Sequence, residues 1–347
     1  MYARKIVALI LLILLMLPCS CRVISSDDID NSTIKIVATL EVFASIAKFI
    51  GGTHVDVDYI LPEGADPHDY ALTPEDLSKI QSADILIFAN TKFFTLEQNI
   101  LKNIQGKVFV DFPDYEEYNL TILSIPGFGI NYHGYWILPD NALAIARAIY
   151  EKLVLLDPYH ISDYDENLRD FKERINYLKS FLTKTSVDSG LYHKNSVVAV
   201  PGAAYVAYSF EINVIATLLK GPGRFANTTE IQRIREMANK GELHIILCPV
   251  ALKNSKADEM AKQLSSDINV PLIYVRVFSM TGLRDYFALM TYNAAAISGA
   301  SQAYSKSTSS ELIPFLYLGI TILFLISVVE GLIIFVYKRR AEVMWSE

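Results

Sequence analysis

Short apolar runs alternate with stretches of helical periodicity between Ile34 and Ser301. Ile34 to Thr39 is rich in β-formers, and Val42, Ile46, Phe49 and Ile50 behind it fall on one face of a helix. Gly51-Gly52 ends that helix, and Val55 to Ile60 then alternates like a half-buried strand. Thr73-Pro74-Glu75-Asp76 reads as a helix start, with a hydroxyl cap, proline at the first helical position and acids against the positive end. The helix from Pro74 to about Ser82 leads into Ile85-Leu86-Ile87-Phe88, which is apolar throughout, and Val108-Phe109-Val110 continues the pattern. Strands without polar alternation, separated by helices, predict a parallel sheet covered on both faces.

Beyond Pro139 the chain turns helical. Asn141 to Leu155 carries Leu143, Ala146, Ile149 and Leu153 at helical spacing, and Asp157-Pro158 interrupts it. A second helix is predicted from Ser162 to Leu182, with Tyr164, Leu168, Phe171, Ile175, Leu178 and Leu182 three or four apart. At about 1.5 Å per residue it spans roughly 30 Å, enough for a stiff strut between two lobes. Strand-helix alternation then resumes: Ser196 to Val200, a helix from Thr229 to Lys240 capped at Asn227 or Thr228, Ile245 to Cys248, a helix from Ser255 to Leu264, Pro271 to Val275, and a last helix from Arg284 to Ser301. The fold class is α/β: two lobes, each a mainly parallel sheet flanked by helices, joined by a long rigid helix.

The two ends follow different rules. Met1 to Lys5 is basic and Ile6 to Leu17 is apolar, as in a secretory signal, which is predicted over residues 1–22. Leu17-Pro18-Cys19-Ser20 ahead of Cys21 fits a lipoprotein cleavage box poorly. Ile313 to Tyr337 is apolar apart from serine, threonine and Glu330, long enough to cross a bilayer, and Lys338-Arg339-Arg340 places the end beyond it inside. The reading is a single-pass cell-membrane protein whose main domain is extracytoplasmic. Its organisation is an N-terminal lobe over 34–138, bridging helices over 139–185, a C-terminal lobe over 186–303, a polar tether over 304–312, a transmembrane helix over 313–337 and a cytoplasmic tail over 338–347.

Three cysteines, two of them in the signal, leave no disulfide framework. A formal net charge of −7 argues against a nucleic-acid partner and mildly favours a cation. Asn31-Ser32-Thr33, Asn119-Leu120-Thr121 and Asn227-Thr228-Thr229 match the glycosylation acceptor pattern, which chance alone produces in a chain of 347 residues. The chain has no His-Glu-x-x-His, serine elbow, Walker loop or dinucleotide fingerprint, so no enzymatic activity is expected. The chemistry-bearing stretch is Leu61-Pro62-Glu63-Gly64-Ala65-Asp66-Pro67-His68-Asp69-Tyr70, which sets His68 in a loop stiffened by proline. A histidine so held is placed to bind a cation.

This loop resembles the first-ligand loop of the zinc/manganese-type solute-binding proteins of ABC importers. Further segments resemble the same family in the same order. They are Ala83 to Asn90, Leu96-Glu97, His133-Gly134-Tyr135-Trp136-Ile137-Leu138-Pro139-Asp140-Asn141-Ala142, Leu156-Asp157-Pro158 with Tyr164 and Asn167, and Tyr286 with Tyr292-Asn293. The resemblance covers roughly residues 34 to 303 and implies a divalent zinc or manganese ion as transported ligand, held between the lobes, with permease and ATPase subunits as partners. It implies His68 and His133 as metal ligands, although two residues stand between His133 and Trp136 where the family pattern has one.

The second lobe departs from that pattern. Pro201-Gly202-Ala203-Ala204-Tyr205 stands where the family has its third histidine, and Arg276-Val277-Phe278-Ser279-Met280 holds no carboxylate where the fourth ligand belongs. Asp66, Asp69, Tyr205, Glu211, Cys248 and Met280 are the possible substitutes, each better explained as a loop-shaping, solvated or packed residue. His54, His160, His193 and His244 read as surface positions. The alternative is the same fold repurposed for a non-metal ligand, adhesion or regulation, with Arg276 meeting an anion.

Overall fold

The computed structural model describes residues 33–62, 65, 70–104, 106–221, 223–278 and 285–299, with four further helical residues, Thr321, Leu323, Ile326 and Ser327. The predicted signal over 1–22, the tether over 304–312, the tail over 338–347 and all but those four residues of the 313–337 span lie outside the described residues. Among the described residues no helix is long and apolar enough to cross a membrane.

The first lobe is built from β1 (Ile34–Ala38), α1 (Glu41–Gly51), β2 (Val55–Tyr59), α2 (Pro74–Ser82), β3 (Ile85–Ile87), α3 (Thr95–Asn103), β4 (Val108–Val110) and α4 (Phe112–Glu116). Its strands run in the order β2-β1-β3-β4, every pair parallel, as their apolar composition predicted. Gly52, at φ 56°, caps α1. Thr73 and Asp76 form a complete capping box at the start of α2, and the Tyr70 hydroxyl donates to the same Asp76 carboxylate at 2.9 Å. A small antiparallel hairpin, β5 (Leu123–Ile125) and β6 (Gly129–Asn131), follows the sheet.

Two helices join the lobes. α5 covers Pro139–Leu156, and α6 covers Ile161–Asp188, 28 residues and so about 42 Å long. The strut runs further than Leu182 because Leu182 and Ser186 both still face the interior, and it stops before Gly190 at φ 69°. The second lobe holds β7 (Asn195–Val198), α7 (Gly202–Ser209), β8 (Asn213–Thr217), α8 (Thr228–Asn239), β9 (Ile245–Pro249), α9 (Lys256–Ile268) and β10 (Leu272–Val275), with a final helix α10 over 286–299. Its order β10-β9-β7-β8 is again all parallel. α7 and β8 fill the stretch between Val200 and Thr229 where the sequence pattern assigned no element; the small and apolar residues of α7 are buried around nearly the whole helix and carry no amphipathic period.

The lobes share one core. A single apolar cluster runs from Phe43, Phe88 and Tyr115 of the first lobe through Tyr135 and Trp136 to Tyr205, Val275 and Tyr286 of the second. The outer face of the second sheet packs separately under α8 and α9, through Val197, Leu218, Ile234, Cys248, Ala261 and Leu264.

The segment from Asn131 to Leu138 is where the two halves are bolted together. Asn131 Nδ2 donates to the Pro201 carbonyl at 2.9 Å, and Trp136 Nε1 donates to the Val277 carbonyl at 3.0 Å. The Ile137 carbonyl accepts from the Tyr286 hydroxyl at 2.9 Å. Tyr205, fully buried on α7, donates to the Asn131 carbonyl and accepts from Leu123 N–H, so a second-lobe helix holds a first-lobe hairpin. Gly134, at φ 89°, lies so near α7 that a Cβ there would sit 3.1 Å from the Gly202 carbonyl.

Replacing Thr73 by alanine is expected to remove the cap and cost about 1 kcal/mol in denaturant unfolding. Replacing Asn131 by alanine strips partners from the buried Pro201 carbonyl and the His133 N–H. It is expected to cost about 3 kcal/mol, read as a lowered urea midpoint at unchanged slope.

Candidate metal centre

His133 follows β6 directly and rides on the bolted segment. Its N–H donates to Asn131 Oδ1 at 3.0 Å, and its carbonyl lies against Gly202, where a Cβ would approach it to 3.6 Å. Its N–H is therefore fixed by Asn131, and its carbonyl faces α7 of the second lobe at close range. Its half-buried ring stands edge-to-face with Phe93 at 4.8 Å and with Phe128 at 6.0 Å between centroids. An imidazole walled by two phenyl rings is shielded from competing water, which suits a neutral metal ligand.

His68, Asp66, Asp69 and Met280 lie outside the described residues, so the structure does not place them against His133. Among the described residues no group of three or more histidine, cysteine, aspartate or glutamate side chains could hold a metal ion. The remaining candidate substitutes are engaged elsewhere. Tyr205 is the interlobe bolt just described. Glu211 accepts from the Thr183 hydroxyl at 2.7 Å. Cys248 is fully buried beside Asp258, and burial pushes its thiol up to about 12, so it carries no thiolate at neutral pH. Pro201 supplies a carbonyl to Asn131, and Arg276 lies over the Tyr292 ring at 4.2 Å with its main chain clasped by the Asn293 amide.

Two of the histidines read as surface positions prove to be a pair. The rings of His54 and His160 stack 3.8 Å apart, His54 Nε2 is 2.6 Å from Asp163, and His160 Nδ1 is 2.6 Å from Asp157. The Tyr164 hydroxyl also donates to Asp157, at 2.7 Å. Asp157 is penalised by burial, but these hydrogen bonds and the nearby imidazoles outweigh that and hold its carboxyl below the usual range. The pair joins the turn after α1 to the junction of α5 and α6, a contact between residues 54 and 160 that no local pattern in the chain reveals.

A charged residue that the sequence marked only within the Leu96-Glu97 segment emerges beyond the C-terminal ends of β1 and β3. Glu97, on the first turn of α3, is 2% exposed. One oxygen accepts from the Thr39 hydroxyl and from Ala89 N–H at 2.7 Å, the other from Asn90 N–H at 2.6 Å. Burial drives its carboxyl up to about 7, and the charge of Asp111 adds to the effect, against the pull of those three donors. A narrow crevice beside it is lined by Thr39, Leu40, Phe94, Leu96 and Glu97 of the first lobe and Phe278 of the second. The signal for Glu97 was an acid inside the apolar face of Phe93 to Leu101, where a polar residue needs a reason.

Comparison with known proteins agrees with this architecture. Residues 36–300 match the family described as zinc-uptake complex component A, periplasmic. A manganese ABC transporter substrate-binding lipoprotein, PsaA of Streptococcus anginosus, is 26% identical over 80% of this chain and 93% of its own length. A metal ABC transporter substrate-binding lipoprotein, SsaB of Streptococcus sanguinis, is 26% identical over 78% of this chain and 89% of its own. Among solved structures, the periplasmic zinc binding protein TroA from Treponema pallidum superposes with a TM-score of 0.63 at 17% identity, over 78% of this chain and 99% of its own, which speaks to the fold. The shared two-lobed frame and a family match over most of the chain lead to one conclusion: this protein belongs to the zinc-uptake component A family, the metal-type solute-binding proteins of ABC importers.

Proposed function

We propose that this chain captures a divalent metal ion, zinc or manganese, between its lobes and presents it to the permease of an ABC importer whose ATPase drives transport. The observation that carries the reading is His133, whose N–H is fixed by Asn131 and whose carbonyl lies beside Gly202, on the segment both lobes grip. His68, on the loop before α2, is the second ligand of the first lobe. The second lobe offers neither of the family's two ligands, so water or backbone oxygen completes the coordination there. Binding and handover require no bond-making step, in keeping with a family of transport components rather than enzymes.

The relatives named above are lipoproteins by description. In this chain the residues before Cys21 fit lipid attachment poorly, whereas 313–337 has the length and composition of a membrane span. The same outward-facing placement is then achieved from the other end of the chain, with the tether keeping the binding lobes close to a membrane partner.

Zinc titration of the full-length protein in competition with a chromophoric chelator tests the assignment. His133→Ala and His68→Ala are each expected to weaken binding by about tenfold or more. The wild-type affinity is expected to fall as pH is lowered through about 6.5, where ordinary imidazoles take up protons and cease to be ligands. Wild-type affinity in both variants would exclude this site.

A further inference from the structure

Glu97 has geometry beyond what packing requires. It is sealed from solvent, and no lysine, arginine or histidine forms an ion pair with it among the described residues. Its three donors come from two different loops, Thr39 after β1 and Ala89 and Asn90 after β3. A carboxylate only accepts hydrogen bonds, so this arrangement is complete for the ionised form alone. A second complete arrangement lies close by. The Thr39 hydroxyl is also 3.4 Å from the Ile87 carbonyl. If Glu97 gains a proton, its new O–H can donate to the Thr39 oxygen while the Thr39 hydroxyl turns its own hydrogen to Ile87.

The two arrangements are read out at the seam. Thr39 and its neighbour Leu40 line the crevice that Phe278 of the second lobe faces, and the Phe278 ring is 5.6 Å from that of Trp136 on the bolted segment. The charged and titratable groups around Glu97 are Asp111, Tyr115 and Tyr135. Asp111 is occupied by the N–H and hydroxyl of Thr91. The two phenols donate to the carbonyls of Phe88 and Ala89, and burial keeps both neutral well above the ordinary phenol range. None of the three supplies a cation that would hold Glu97 ionised.

We propose that Glu97 is a positioning residue for the cleft: its carboxylate sets the loops after β1 and β3, and uptake of one solvent proton turns the Thr39 hydroxyl toward Ile87 and resets the crevice against Phe278. Burial and the Asp111 charge place this exchange at about pH 7. It requires no metal, so it stands or falls separately from the ion-binding assignment.

The experiment uses the chelator-treated full-length chain carrying Trp345→Phe, which leaves Trp136 as the single tryptophan of the two present. Its emission is followed from about pH 8.5 to about pH 5.5, a range that spans the ordinary imidazole region. A one-proton transition near pH 7 is expected, retained in the His68→Gln/His133→Gln double variant, retained at a shifted midpoint in Glu97→Asp, and absent in Glu97→Gln. A flat profile, an unchanged midpoint in Glu97→Gln or loss of the transition in the double histidine variant would overturn the proposal. Should Glu97→Gln fail to fold, infrared difference spectra of the same chain with carbon-13-labelled glutamate, carrying Glu330→Gln so that the glutamate of the 313–337 span adds no band, decide the matter. At about pH 6 ordinary glutamates are ionised, so a protonated-carboxyl band there is expected, and its absence overturns the proposal.

Discussion

The structure depends on a short stretch that belongs to both halves. From Asn131 to Leu138 the chain leaves the first lobe, but its polar groups are satisfied by the second: Asn131 on Pro201, Trp136 on Val277, Ile137 through Tyr286. These bonds are buried, where an unmatched partner costs most. They also explain why the aromatic core is continuous across the lobes rather than divided between them. A histidine on such a segment has little backbone freedom left to lose when it binds something, which is the physical meaning of a preorganised ligand.

The two sides of the seam differ in chemistry. In the first lobe His133 follows the β5-β6 hairpin, buried Asp111 follows β4, and buried Glu97 accepts from the loops after β1 and β3. At the second lobe the corresponding positions are Pro201, which acts through its carbonyl, and Arg276, which rests on Tyr292. The ligands of the proposed site therefore come from one side, and the other side contributes shape: Gly202, Val277 and Phe278. Affinity in such a site is set less by the number of donor atoms than by how rigidly the few that exist are held and how well water is kept from them.

Much of this was readable in the chain. The first-lobe strands and the α2 cap are written in local patterns, as apolar runs and as Thr73-Pro74-Glu75-Asp76, and they appear where those patterns put them. The strut ran six residues past Leu182 because burial of Ser186, a tertiary matter, overrides its modest helix propensity. α7 escaped notice because Gly202 to Ser209 is apolar around its whole circumference. The pairing of His54 with His160 and the grip of Tyr205 on Asn131 join positions far apart in sequence, so no window of neighbouring residues contains them. The family order of motifs pointed to His133, and its surroundings came only from the fold.

The central claim is that an ion is held at the seam by His133 and His68. Crystals of the protein grown with zinc and measured across the zinc absorption edge test it most directly. The account predicts an anomalous peak between the lobes at about 2.1 Å from a ring nitrogen of each histidine. A zinc-loaded crystal with no peak within bonding distance of His133, its ring still set between Phe93 and Phe128, would contradict it.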